Sequence, residues 1–194
     1  MTRSIQPEVA APCTGRDVLD RFYSPPALAT KLVSLLPVGT DDSALEPSAG
    51  AGSFLNAIRD AAPMGHVWGV DVDPEAPGIC NLNGYDPRVH CVDFLEYQPT
   101  LRPTWILGNP PFNQAEAHAR WANRLTSRHV GFLLRVGFLA SAKRVPFWIK
   151  HPCRKVWPIA QRPREWPASY DYAFYWWDKL YEGPTILGPP VVWR

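Results

Sequence analysis

The chain lacks what a membrane-spanning or secreted protein needs. Its 194 residues hold no apolar run approaching the roughly 18 that cross a bilayer. The N-terminus carries Pro7 and Glu8 where a signal peptide has an apolar core. The four cysteines, Cys13, Cys80, Cys91 and Cys153, form no Cys-x-x-Cys pair and have no histidine pair nearby, so nothing suggests zinc or another metal. Free thiols are expected, which fits a reducing, cytoplasmic setting, that of the host cell if the gene is carried by a phage. Internal repeats, linkers and low-complexity tracts are missing too. With 46% hydrophobic and 20% charged residues, the chain suits one globular domain.

Proline and tryptophan are in excess. There are 22 prolines and nine tryptophans, and only Trp68 of the latter precedes position 100. Charge is segregated: residues 1 to 101 carry a net −7, residues 102 to 168 a net +10, and the remainder −1. A basic, tryptophan-rich segment beside an acidic half suggests a polyanion-facing surface next to a site for something cationic or hydroxyl-bearing. The alternative is a solvated basic helix face.

Residues 1 to 20 show no sustained periodicity and read as an arm. From Pro25 the series Ala27, Leu28, Leu32, Leu35, Leu36 recurs at three to four residues, a helix that Pro25-Pro26 can open and Pro37 ends. Strand-length apolar runs follow at 43–46, 66–71, 89–92, 104–108 and 129–136, with helix candidates at 52–61, 74–80 and 113–127. This alternation predicts an α/β fold with a mostly parallel, doubly covered sheet. Two more strands, near 153–158 and 171–177, are joined by a loop too short for a crossover helix, so a C-terminal antiparallel hairpin is expected.

In such sheets ligands bind beyond the carboxyl ends of the strands. After the first strand comes Glu46-Pro47-Ser48-Ala49-Gly50-Ala51-Gly52-Ser53-Phe54, whose glycines permit a tight turn and close backbone approach to a ligand. After the second come Asp71-Val72, with the acid 19 residues beyond Gly52, a spacing at which a carboxylate accepts ribose hydroxyls. After the third comes Asp93-Phe94, an acceptor for an exocyclic amine beside a ring that can cover a purine face. Each carboxylate taken alone could be a solvated strand end or helix cap; three in phase favour an adenosine site. Neither a GxxxxGK[ST] loop nor a full GxGxxG is present. Glu46 would repel a pyrophosphate and suits an ammonium or sulfonium group, so S-adenosylmethionine fits better than a dinucleotide.

After the fourth strand stands Asn109-Pro110-Pro111-Phe112. An aryl amine is a poor nucleophile because its lone pair is delocalised into the ring. Two acceptors aimed at its N–H bonds, the Asn109 side-chain oxygen and the Pro110 carbonyl, would draw the nitrogen towards a tetrahedral shape and stabilise the positive charge that develops on methyl transfer. Pro111 stiffens the turn, and Phe112 can stack on a flipped base.

These segments resemble the N6-adenine DNA methyltransferases of the S-adenosylmethionine-dependent, Rossmann-like class I fold, with motifs in the gamma-type order X, I, IV, and especially the small phage-type enzymes. The resemblance covers about residues 21 to 178. It implies that the Arg21 to Pro26 segment, with Tyr23, Ser24 and Pro25, contacts the methionine end of the cofactor. It assigns Glu46, Ser48, Gly50, Gly52 and Phe54 to motif I, Asp71 and Val72 to the ribose, Asp93 and Phe94 to the adenine, and Asn109 to Phe112 to catalysis. Arg162 and Trp166, ahead of the strand Tyr172 to Trp177, resemble the motif VIII loop, where Trp166 is the candidate clamp for the target base. Gamma-type enzymes usually carry a large target-recognition domain after motif VIII, whereas about 28 residues follow Trp166 here. The resemblance therefore implies a single catalytic domain over 21–194 and poor sequence specificity. DNA is the expected partner, as a duplex with a flipped adenine or as a single strand, with a homodimer as a further way to supply contacts. The alternatives are an RNA adenine, a protein glutamine amide, cytosine N4, or an inactive binding subunit.

Overall fold

A computed structural model describes residues 23–76 and 88–194. The expected arm at 1–20, most of the expected helix at 74–80, Cys13 and Cys80 lie outside the described residues. Eight strands form one sheet in the order β3-β2-β1-β4-β5-β7-β6-β8. They are β1 (Ala44–Glu46), β2 (Val67–Asp71), β3 (Arg88–Cys91), β4 (Trp105–Gly108), β5 (His129–Arg135), β6 (Lys155–Pro158), β7 (Tyr172–Asp178) and β8 (Ile186–Leu187). The first five run parallel. β7 enters antiparallel between β5 and β6, so the expected C-terminal hairpin is present. The two-residue β8, not foreseen, pairs parallel with β6. This is the α/β, Rossmann-like class I methyltransferase fold.

Helices α1 (Pro26–Val33) and α2 (Ser53–Ala61) cover one face, and α3 (Ala115–Leu125) the other, joined there by the short α4 (Val145–Lys150), which the sequence did not suggest. Pro25, at φ −57° and ψ 138°, opens α1 with Pro26 at the first helical position, as the doubled proline predicts. Side-chain alternation sorts β7 between the two cores: Tyr172, Phe174 and Trp176 join one, Ala173, Tyr175 and Trp177 the other. No helix among the described residues is long and apolar enough to cross a membrane.

The structure shows where the tryptophans and the basic residues that stand out in the composition go. Six tryptophans (Trp68, Trp105, Trp157, Trp166, Trp176, Trp177) are buried and the other three are half-buried, so most of the aromatic excess fills the two cores. The basic residues are not simply an open surface. Glu116 pairs with Arg120 at 2.8 Å and Arg144 at 3.6 Å, and the buried Asp178 with Arg154 at 2.8 Å and Arg128 at 3.5 Å. Arg102 donates to the carbonyls that end α3. Glu116 and Asp178 thus hold four of the twelve basic residues of segment 102–168.

Candidate active site

Strand order reverses between β1 and β4, and in such sheets the crevice beyond the carboxyl ends at that point takes the ligand. The cleft between β1 and β4 gathers three remote stretches: Tyr23 and Ser24 ahead of α1, Glu46 to Phe54 after β1, and Asn109 after β4. Parallel pairing in register produces this convergence, because Ala44 and Leu45 of β1 lie opposite Trp105 and Ile106 of β4, so both strands end at one edge.

The glycine turn is shaped by its backbone. Gly50 has φ +48° and Gly52 φ +82°, a region that side chains with a Cβ adopt at a cost. Gly52 caps α2, so the first residues of that helix, Ser53 and Phe54, face the cleft. A Cβ on Gly50 would sit 2.9 Å from Tyr23 Cε1, so the tyrosine ring lies directly on the turn. Asp71 braces the same turn: Oδ2 accepts the Gly50 N–H and Oδ1 the Asp73 N–H, both at 2.8 Å.

Glu46 carries the distinctive electrostatics. It is 2% exposed, and its Oε2 has no hydrogen-bond partner among the described residues. Burial pushes its carboxyl well above the usual range; the Leu55 amide offsets part of this and the Asp71 charge adds to it. No lysine or arginine lines the described cleft. Gly108, which the sequence analysis passed over, makes room for Glu46, since a Cβ there would lie 3.3 Å from its Cγ.

Asn109 is half-buried in the cleft wall, followed by buried Pro110 and half-buried Pro111. Phe112, also buried, starts a short 3-10 turn and has Tyr172 at 5.3 Å and Trp166 edge-on at 6.0 Å. Trp166 is 3% exposed, and its indole N–H donates to the Tyr23 carbonyl at 3.1 Å, tying the loop before β7 to the segment before α1. Arg162 turns inward and donates to the carbonyls of Pro163 and Trp166. The structure thus places Trp166 behind Phe112 and Arg162 within its own loop. Pro25 stands at the start of α1.

Val72, Asp93 and Phe94 follow β2 and β3 at the same edge of the sheet but outside this cleft, flanking residues 77–87, which lie outside the described set. Asp93 Oδ1 accepts the Leu95 N–H at 2.9 Å. Phe94 is 1% exposed and stacks on His118 at 5.3 Å. Residues missed from sequence are Ala49 and Ala51, whose small side chains keep the cleft open, and Tyr170 at the rim of a neighbouring depression.

Comparison with known proteins places this geometry among methyltransferases. The chain is 35% identical over 107 residues to the type II methyltransferase M.TthHB8I of Thermus thermophilus, a match covering 55% of this chain and 24% of that protein. The chain therefore spans about a quarter of that relative's length. No protein-family model matches. A protein described as a class I S-adenosylmethionine-dependent methyltransferase from Listeria monocytogenes superposes with a TM-score of 0.73 at 13% identity, over 90% of this chain and 68% of the other. A type I restriction-modification system methyltransferase subunit from Streptococcus thermophilus gives 0.69 at 16%, over 87% and 47%. The 23S rRNA methyltransferase ErmE gives 0.66 at 15%, over 87% and 73%. These similarities, with the strand order and its single antiparallel intruder, establish the chain's fold as that of the class I methyltransferases.

Proposed function

We propose that this chain binds S-adenosylmethionine in the β1/β4 cleft and methylates the N6 amine of adenine in DNA. The observation carrying this reading is the meeting of Glu46, the Gly50 turn and Asn109 in one cleft at the switch point. The 35% identity over 107 residues to a relative named as a type II methyltransferase, and the fold shared with a type I restriction-modification methyltransferase subunit, support it.

The residues present fit the cofactor. The unpartnered Glu46 oxygen suits a cationic amino group, and an acid there disfavours a pyrophosphate. Tyr23 and Ser24 contribute to the cleft wall, Ser48, Gly50 and Gly52 present backbone, and Asp71, Val72, Asp93 and Phe94 are assigned to the ribose and adenine. When bound, the cofactor supplies an electrophilic methyl group. Asn109 Oδ1 and the Pro110 carbonyl accept the two N–H bonds of the target amine, which frees the nitrogen lone pair for attack and spreads the positive charge that follows. The extra proton then leaves to solvent. Phe112 offers its ring to the extruded base, and Trp166 supports that ring from behind. The basic side chains of residues 102–168 that are not anchored by Glu116 and Asp178 contact phosphates, which position DNA without reading its sequence, so low sequence specificity belongs to this reading.

The test uses purified protein, labelled cofactor and separate DNA and RNA substrates, with the modified nucleosides identified by mass spectrometry. N6-methyladenine in DNA is expected, together with loss of about 10² to 10³ in rate for Asn109→Ala at unchanged cofactor affinity. Product in RNA alone would favour the reading suggested by the fold shared with the rRNA methyltransferase. A variant retaining more than about a tenth of the rate would remove Asn109 from the chemistry.

A further inference from the structure

A second depression opens at the carboxyl end of β5, with Phe112, Arg135, Phe138, Arg144 and Tyr170 in its walls. Its notable feature is a planar cation lying over two aromatic rings. The Arg135 guanidinium carbon is 4.9 Å from the centroid of Phe112 and 3.8 Å from that of Tyr170. The rings come from distant parts of the chain, the Asn109 to Phe112 turn and the loop before β7. They also differ in constraint. Phe112 is buried and wedged against Trp166 and Tyr172, whereas Tyr170 is 41% exposed.

A guanidinium and a nucleobase are both flat, both stack on aromatic faces, and compete for the same ring surface. We infer that Arg135 occupies the base slot in the free protein: its guanidinium stands where an extruded base would stack between Phe112 and Tyr170, and it must withdraw before the base is held. The inference rests on the reading of this chain as a base-modifying enzyme. It makes Arg135 a specificity-determining residue and Tyr170 the outer wall of the slot. A base that only stacks has to displace two guanidinium–ring contacts. An adenine whose amine also engages Asn109 and the Pro110 carbonyl has the additional interaction needed to displace them.

The experiment places 2-aminopurine at an adenine that the wild-type protein is found to methylate, and in a second duplex at a position it does not. Fluorescence at saturating protein reports the extruded fraction independently of affinity. Arg135→Ala should raise the extrusion equilibrium roughly two- to thirtyfold, the span of one such contact, with the larger relative gain at the non-target position. Arg135→Lys keeps the charge for phosphates but not the flat group, and should also raise it; Tyr170→Ala should lower it. Wild-type thermal unfolding and cofactor affinity in each variant establish that the effect is local. An extruded fraction that is unchanged or lower in Arg135→Ala, or wild-type behaviour in Arg135→Lys, overturns the inference while wild-type methylation of DNA still stands. Absence of both methylation and any fluorescence response in the wild type would instead sink the reading on which it rests.

Discussion

Glu46→Gln separates what the site needs from what the free fold prefers. In the free protein the carboxyl is buried, lacks a partner for one oxygen and faces the Asp71 charge, so its ionisation is disfavoured. A carboxyl whose folded pKa is raised contributes stability that is complete below the unfolded value of 4.5 and is lost as pH rises through the folded value. Between the unfolded and the folded value wild type loses up to about 1.4 kcal/mol per pH unit that a glutamine does not lose, and above the folded value the difference is constant. Because glutamine also buries an amide, the informative quantity is the change in the difference between the two proteins with pH. Urea unfolding at pH 5 and pH 8 should show Glu46→Gln gaining on wild type at the higher pH. Cofactor binding should change in the opposite sense. Loss of a hydrogen bond between charged groups weakens it by about 1.5 to 3 kcal/mol, roughly ten- to a hundredfold or more in Kd. Calorimetry in buffers of different ionisation enthalpy should detect proton release on binding to wild type and none with the variant. A stability difference independent of pH, or an unchanged Kd, would refute the argument.

Gly50→Ala forces a side chain into a φ of +48° and against the Tyr23 ring, so it should cost about 1 to 2 kcal/mol in chemical denaturation and weaken cofactor binding as well. Asp178→Asn removes the charge that holds Arg154 and Arg128 together and should destabilise by about 1 to 3 kcal/mol in urea. Burial would raise that carboxyl, but the Leu180 amide, His129 and the two arginines hold it below the usual range, so its contribution should persist in mild acid. Burial pushes the imidazoles of His118 and His129 down to about 4. Their stabilisation is complete above the unfolded value of 6.5 and lost as pH falls towards 4, so the melting temperature should drop across that window and drop less in His118→Gln.

Local chemistry made the frame of this protein legible. Alternating strand and helix periods are written residue by residue, the doubled proline fixes where α1 begins, and turns that need glycine or rigid proline name themselves. For that reason Glu46 to Phe54 and Asn109 to Phe112 could be assigned to the carboxyl ends of parallel strands, and the shared cleft follows from register. The hairpin was legible because its loop is too short for a crossover. What only the tertiary structure decided concerns side chains whose partners are remote in sequence. Composition cannot distinguish a tryptophan on the surface from Trp105, 0% exposed between α1's core and His129, because burial depends on which strands come together. Nor can it show that Glu116 and Asp178 neutralise arginines of the basic segment. Trp166 and Tyr170 stand four residues apart in one loop and look interchangeable as aromatic clamps. The bond from Trp166 to the Tyr23 carbonyl, 143 residues away, draws the first into the wall and leaves the second at the rim. Close approach is likewise a property of the packed sheet: Gly108 reads as an ordinary strand end until Glu46 is seen lying across it.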